Sequence, residues 1–260
     1  MRLAIDAVKE HKADAVISAG NTGALMAMAT IVLKTLPGIS RPAIASSFPT
    51  QAGDSVMLDL GANVECDSNN LVQFAVMGEV YARNELGLSQ PSVGILNVGV
   101  EGLKGNDSVR DAAAILKNSN LPLEFYGFIE GDDIGKGTVD VIVTDGFTGN
   151  IALKTAEGTA QMIAYFLKDA LKSSILSKAG ALLARPAIEK VRSHFDPRRY
   201  NGALLLGLNG ICVKSHGGTD EVGFAHAIQV GVNLVRRDLN DLIKEDIASV
   251  MIEPSQSIIE

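Results

Sequence analysis

Short apolar runs of strand character alternate along this chain with longer stretches of helical period, and that alternation restricts it to a sheet covered by helices. Asp14–Ser18, Val56–Leu60, Ser92–Val98, Leu123–Phe128, Val139–Thr144 and Ile211–Ser215 read as strands. Arg2–His11, Gly23–Leu36, Asn69–Leu86, Asp107–Lys117, a stretch from about Asn150 to Leu171, Pro186–His194 and a last one from Asp220 towards Glu245 read as helices. Pro37 and Gly87 act as stops. Strands separated by helices predict an α/β fold with a mostly parallel sheet. No internal repeat and no low-complexity segment interrupts the pattern.

Five strand-to-helix crossings share one chemistry: "SAGNTG", "LDLGAN", "LNVGVEGLKGND", "TDGFTGN" and "KSHGGTD". Each sets glycine beside Asn, Asp, Lys, His or Thr where a strand ends, which is where open α/β sheets bind ligands. The expectation is one polar floor built from several strand ends. In "VISAGNTGAL" the glycines and Asn21 suit a plain turn. The sharper reading is an anion pocket, because glycine lets backbone approach a ligand and the next helix points free N–H groups at it, although such turns are more often only turns.

Other classes are excluded by what is missing. A net charge of −7, no Trp and 5% aromatic residues argue against a nucleic-acid binder. There is no G-x-G-x-x-G after a strand, no Walker loop and no G-x-S-x-G elbow. His11, His194, His216 and His226 lack zinc spacing, and Cys66 and Cys212 form no C-x-x-C pair. The chemistry therefore calls for no metal, no cofactor and no covalent nucleophile. "MRLAIDAVKEHK" has no apolar core of a secretory signal, and no run approaches the roughly 18 apolar residues of a spanning helix. A reduced, cytoplasmic setting is expected.

Taken together, "SAGNTGALMA", "LDLGAN", "LVQFAVMG", "LNVGVEGLKGND", "DGFTGNIALKTAEG" and "YNGALLLGLNGICVKSHG" resemble the phosphate acyltransferase family of bacterial phospholipid synthesis, from the first residues to about Lys244. The family makes acyl phosphate from acyl–acyl carrier protein and inorganic phosphate. The resemblance implies a three-layer α/β/α sandwich like that of phosphotransacetylases and isocitrate dehydrogenases, a homodimer, and residues 1–260 as one acyltransferase domain. Family members usually begin well upstream with a "DAMGGD"-like strand, so the chain reads as short at its N-terminus. Gly102 stands where the family often has an acidic residue.

Phosphate is an anion at neutral pH and attacks a thioester without a strong base, so the protein must position it and stabilise the oxyanion. By motif carry-over Lys104 and Asn150 are the expected catalytic pair. Lys104 would neutralise charge and Asn150 would donate to the oxyanion, although an exposed lysine and an Asn helix cap are the bland readings. Asn21, Thr22, Gly23, Asn63, Asn97, Gly149 and His216 are the expected phosphate- or substrate-binding residues. Asp59 would shape the pocket wall and Asp145 would orient its neighbouring loop.

Residues 166–199 carry eight basic and three acidic side chains in a chain of net charge −7. At their centre lies "SSILSKAGALLARPAI", read as a protruding helical hairpin interrupted by Gly180 and Pro186. Ile175, Leu176, Leu182 and Leu183 amid cations form the pattern of an anchor on an anionic membrane surface. The same field suits acidic acyl carrier protein, and a dimer contact is the plainer use of the apolar face, with both uses expected at different heights along the hairpin. The expected location is the inner face of the cell membrane, with a downstream glycerol-3-phosphate acyltransferase taking the product. Two rival readings are a dehydrogenase of the isocitrate or isopropylmalate type and an inactive lipid-surface scaffold.

Overall fold

The computed structural model describes residues 1–119, 121 and 123–251, with side chains to 248. Its strands are β1 (Ala15–Ser18), β2 (Ala43–Pro49), β3 (Asp54–Leu58), β4 (Ser92–Leu96), β5 (Glu124–Ile129), β6 (Val141–Val143), β7 (Ala203–Leu206) and β8 (Ile211–Lys214). The helices are α1 (Arg2–Lys9), α2 (Thr22–Leu33), α3 (Ser68–Leu86), α4 (Asp107–Asn118) and α5 (Gly131–Lys136). They continue with α6 (Gly146–Lys172), α7 (Ile175–Leu183), α8 (Arg185–His194), α9 (Glu221–Arg236) and α10 (Leu239–Met251).

The strands form one sheet in the order β1-β8-β7-β2-β3-β6-β4-β5. Four pairings are parallel (β1–β8, β3–β6, β4–β6, β4–β5), and three are antiparallel (β7–β8, β2–β7, β2–β3). The α/β class and the parallel majority agree with the sequence pattern. β2, β7 and α5 do not appear in that pattern. The two extra strands reverse the sheet: β1, β2 and β8 run one way, and β3 to β7 the other.

The common floor of five strand ends is therefore corrected. Loops after β1 and β8 leave from one edge, and loops after β3, β4 and β6 from the opposite edge. Strands of three to seven residues keep these edges only about 10–23 Å apart at roughly 3.3 Å per residue. Loops from both edges can thus fold over one face and meet there.

Helices cover both faces. On one, α3, α4, α9 and α10 bury Phe74, Met77, Val80 and Tyr81 with Leu58, Val141 and Val213. Each large apolar side chain buried there contributes about 1.5–3 kcal/mol. α3 starts in a capping box of Asp67 and Asn70 and ends at Gly87 with φ 70°. It approaches the sheet closely because Gly78 lacks a side chain: a Cβ would sit 2.7 Å from Val141 Cγ1 and 2.8 Å from Leu58 Cδ2. On the other face, α1 and α2 pack Ile5, Val8, Leu25 and Ala29 on Val16, Ile44, Leu205 and Cys212. The expected last helix is two, broken where Asp238 takes φ 49°.

α6 begins four residues before the expected start. Only Gly146 and Gly149 are buried in its 27 residues, and α7 and α8 bury none. The long helix leaves the body as a rod carrying exposed Met162, Ile163 and Phe166, and α7 exposes Ile175, Leu176, Leu182 and Leu183. Gly180 does not interrupt the hairpin but lies inside α7, and Pro186 sits in the first turn of α8, where its missing N–H is harmless. Among the described residues no helix is long and apolar enough to cross a membrane.

Candidate functional site

Asn21 caps α2: its Oδ1 accepts the Ala24 N–H at 3.0 Å and its carbonyl accepts Leu25 N–H at 3.0 Å. The turn reading is thus correct for its carboxamide oxygen. The N–H groups of Thr22 and Gly23 remain without an acceptor among the described residues. Both residues line a cavity of about 280 Å³, together with Met26, Ala27, Ile44, Gly61 and Ala62. The helix dipole adds positive potential at this end.

The opposite wall is organised by Asp59, which is fully buried. Its Oδ1 accepts N–H groups of Ile44 (2.9 Å), Gly61 (3.2 Å) and Ala62 (2.9 Å). Its Oδ2 accepts the Asn63 N–H (2.7 Å) and Nδ2 (2.9 Å). Burial pushes the Asp59 carboxyl up from the usual carboxylate range, and these donors pull it back. One carboxylate thereby ties β2 to the loop after β3. Asn63 spends its remaining Nδ2 hydrogen on Pro42 O at 2.8 Å, so its amide nitrogen is a brace.

The start of α6 docks on this loop. Gly146 N–H donates to Asn63 O at 2.7 Å, and a Cβ on Gly149 would lie 2.0 Å from the Asp59 carbonyl oxygen. Only glycine permits that approach, so Gly149 acts as a spacer. The helix cap is Asp145, which accepts Thr148 N–H at 2.9 Å and Thr148 Oγ1–H at 2.7 Å. Asn150 is therefore not the cap, and its amide makes no hydrogen bond among the described residues. Its side chain lies against Gly61, where an added Cβ would be 3.5 Å from Asn150 Cβ. The pocket's Gly61 wall, Thr22, Gly23 and Asn150 thus come together, although the chain brings them from opposite sheet edges.

Lys104 stands on the loop after β4, exposed and in no ion pair among the described residues. Asn97 Nδ2 braces that loop, donating to Gly99 O (3.0 Å) and Lys104 O (3.2 Å). β4 is the neighbour of β6, so Lys104 and Asn150 follow adjacent parallel strands at one edge. His216 follows β8 at the other edge. Its Nδ1 accepts Gly218 N–H at 3.0 Å and its own N–H donates to Asn201 Oδ1 at 2.7 Å.

Cys66 lies close to Asp59 and Asp145. Burial and those carboxylates push its thiol up to about 12, which keeps it a thiol and a poor nucleophile. Met26, Ala27 and Ile44 line the cavity without a signal of their own, because apolar residues inside ordinary elements carry no punctuation, whereas Ala62 sits in the "LDLGAN" loop. No group of three or more His, Cys, Asp or Glu is placed to hold a metal among the described residues.

The family model described as "Fatty acid synthesis protein" matches residues 1–242. A phosphate acyltransferase of Rhodospirillum rubrum is 61% identical over 97% of this chain and 72% of its own length. Its counterpart in Rhodospirillum centenum is 65% identical over 95% of this chain and 70% of its own. Among solved structures, a phosphotransacetylase from Staphylococcus aureus has the same fold, with a TM-score of 0.59 and 18% identity over 93% of this chain and 67% of that one. The 4-hydroxythreonine-4-phosphate dehydrogenase of Klebsiella pneumoniae shares it too, at a TM-score of 0.51 and 14% identity over 90% of this chain and 67% of that one. At such identities a dehydrogenase neighbour speaks for the fold alone, whereas the sequence relatives speak for acyl transfer. The chain belongs to the fatty acid synthesis protein family, alongside the phosphate acyltransferases of these bacteria.

Proposed function

We propose that the chain transfers an acyl group from acyl–acyl carrier protein to inorganic phosphate, giving acyl phosphate for phospholipid synthesis. The observation that carries this reading is the small cavity between unsatisfied helix N–H groups and a glycine wall, with a free amide beside it. Phosphate seated against Thr22 and Gly23 presents an oxygen to the thioester carbon. The new C–O bond forms as the C–S bond breaks, the electron pair leaves on sulfur, and the thiolate takes a proton from water. Asn150 donates to the carbonyl oxygen as it gains charge, and Lys104 neutralises the phosphate or that same oxyanion. Asn97, Asn63 and Gly149 hold the loops that carry these groups, and His216 borders the site from the β8 side. No metal or cofactor is required, since phosphate is already nucleophilic.

The exposed apolar residues of α6 and α7 support a homodimer along the rod and contact with an anionic membrane at Ile175, Leu176, Leu182 and Leu183. This would place the protein in the cytoplasm, on the inner membrane face. The acyl phosphate then passes to a membrane acyltransferase that uses glycerol 3-phosphate. The test is acyl phosphate formation by the wild type, Lys104→Met and Asn150→Ala. Loss of one oxyanion donor should cost about 10²–10³-fold in kcat. Full activity in both variants would remove this catalytic pair, and an inactive wild type would remove the acyltransferase reading.

A further inference from the structure

We propose that Lys214 is a second cation of this site, binding a substrate phosphate group from the β8 side; the inference rests on the acyltransferase reading. Side-chain alternation places it. Val16 and Cys212 are partners in register and both belong to the core under α1 and α2, so Ser18 and its partner Lys214 face the same way. The neighbour of Lys214 on β7 is Ala203, which packs on that same core. Lys214 thus stands in a row of small or polar side chains, with Ser18 and Ala203, on the face that α1 and α2 cover. The adjacent row holds Leu205 beside Ile44, and Ile44 lines the cavity. Two strand spacings, about 10 Å, separate β8 from β2.

The amine is under-satisfied. Lys214 Nζ donates to the Ser215 carbonyl, its one hydrogen bond among the described residues, and it has no carboxylate partner there. Partial burial pushes its pKa below the usual lysine value, with no acid to restore it. A partly desolvated ammonium of this kind is stabilised by an anion. The surrounding loops are fixed to each other: Ser215 N–H donates to Ser18 O at 2.9 Å, and a Cβ on Gly217 would be 3.2 Å from Ala19 O. The vacant N–H groups of Thr22 and Gly23 follow four and five residues after Ser18. A phosphate there would meet backbone donors from α2 and a cation from β8.

Two substrates bring phosphate: inorganic phosphate itself and the phosphodiester of the carrier protein's pantetheine arm. Initial rates of acyl phosphate formation by wild type, Lys214→Met and Lys214→Arg, with each substrate varied in turn, separate them. Removing a charge-assisted hydrogen bond should raise KM about tenfold to hundredfold for one of the two substrates. Lys214→Arg should recover most of that loss. The thermal midpoint of Lys214→Met should be unchanged or higher, since methionine has no charge to desolvate. Unchanged KM values for both substrates would overturn the proposal, as would a rise that Arg does not recover and that accompanies a lower midpoint. Should the wild type prove inactive, the acyltransferase reading fails instead. Calorimetric titration of inorganic phosphate into wild type and Lys214→Met then decides: weaker binding by the variant supports the role, and equal binding overturns it.

Discussion

Gly149→Ala should destabilise the protein although it puts a better helix former into a helix. Position 149 is the fourth residue of α6, and alanine there would gain about 1 kcal/mol of helix propensity over glycine. Against this, the new Cβ would lie 2.0 Å from the Asp59 carbonyl oxygen and 2.8 Å from Thr144 Cγ2, where real Cβ contacts stay above 3.0 Å. The first neighbour is backbone in a loop pinned by hydrogen bonds to Asp59, so it cannot rotate away. Overpacking costs about 1–3 kcal/mol, and a backbone clash belongs at the upper end. The net is a loss of about 2 kcal/mol, or roughly 4–8 °C for a chain of this size. Gly158 supplies the control: it lies in the same helix with nothing within 4 Å of a built Cβ. Gly158→Ala should gain up to about 1 kcal/mol. Urea unfolding of both variants makes the comparison, and activity should fall with Gly149→Ala as Asn150 is levered off Gly61. A Gly149→Ala variant as stable as Gly158→Ala would refute the claim that this contact positions the site.

Asp196 accepts hydrogen bonds from Arg198 Nε, and the guanidinium holds its carboxyl down to about 2 against an ordinary 3.8. A depressed carboxyl pKa stabilises the fold above the unfolded value and loses that contribution as pH falls from about 3.8 towards about 2. Thermal midpoints of wild type and Asp196→Asn should therefore differ at pH 6 and converge near pH 2, the gap kept small by solvent screening. A constant gap across that range would contradict the assignment. Leu182→Asp with Leu183→Asp should abolish flotation with anionic liposomes and leave activity on soluble substrate intact, because both side chains are exposed. Undiminished flotation would eliminate the membrane contact.

The sequence disclosed elements that punctuate themselves. α3 has Asp67 and Gly87 at its ends, and the strands of β4 and β6 are continuous apolar runs. What it concealed was direction. β2 reads as small and polar residues ending in Pro49, and β7 is four residues between Gly202 and Gly207; neither shows a clear period. Those two strands make all three antiparallel pairings, so overlooking them turns a mixed sheet into a parallel one and merges two edges into one floor. Side-chain periodicity reports a residue's face and carries no information about which strand lies beside it. For the candidate site, the turn glycines were legible because turns need special residues, whereas Asn150, inside α6, was named only through the family motif. Asp59 was legible only as a polar residue near a turn; its use of five N–H donors depends on Ile44, fifteen positions away in sequence. Lys214 opens the "KSHGGTD" crossing, yet nothing in that pattern sets it apart from a surface lysine at the end of a strand.

The rod of α6 has a consequence for how the molecule can respond to what it touches. Asn150 lies near its root, and Lys172 at its far end is 22 residues on, a span of about 33 Å at 1.5 Å per residue. A stiff lever of that length converts a pivot of about 5° at the glycine joint into a sweep of about 3 Å at the tip. Run in reverse, holding the tip still would restrict rotation at the root, where Asn150 lies. Any contact made at the outer end is therefore linked through one mechanical part to the proposed site at the root.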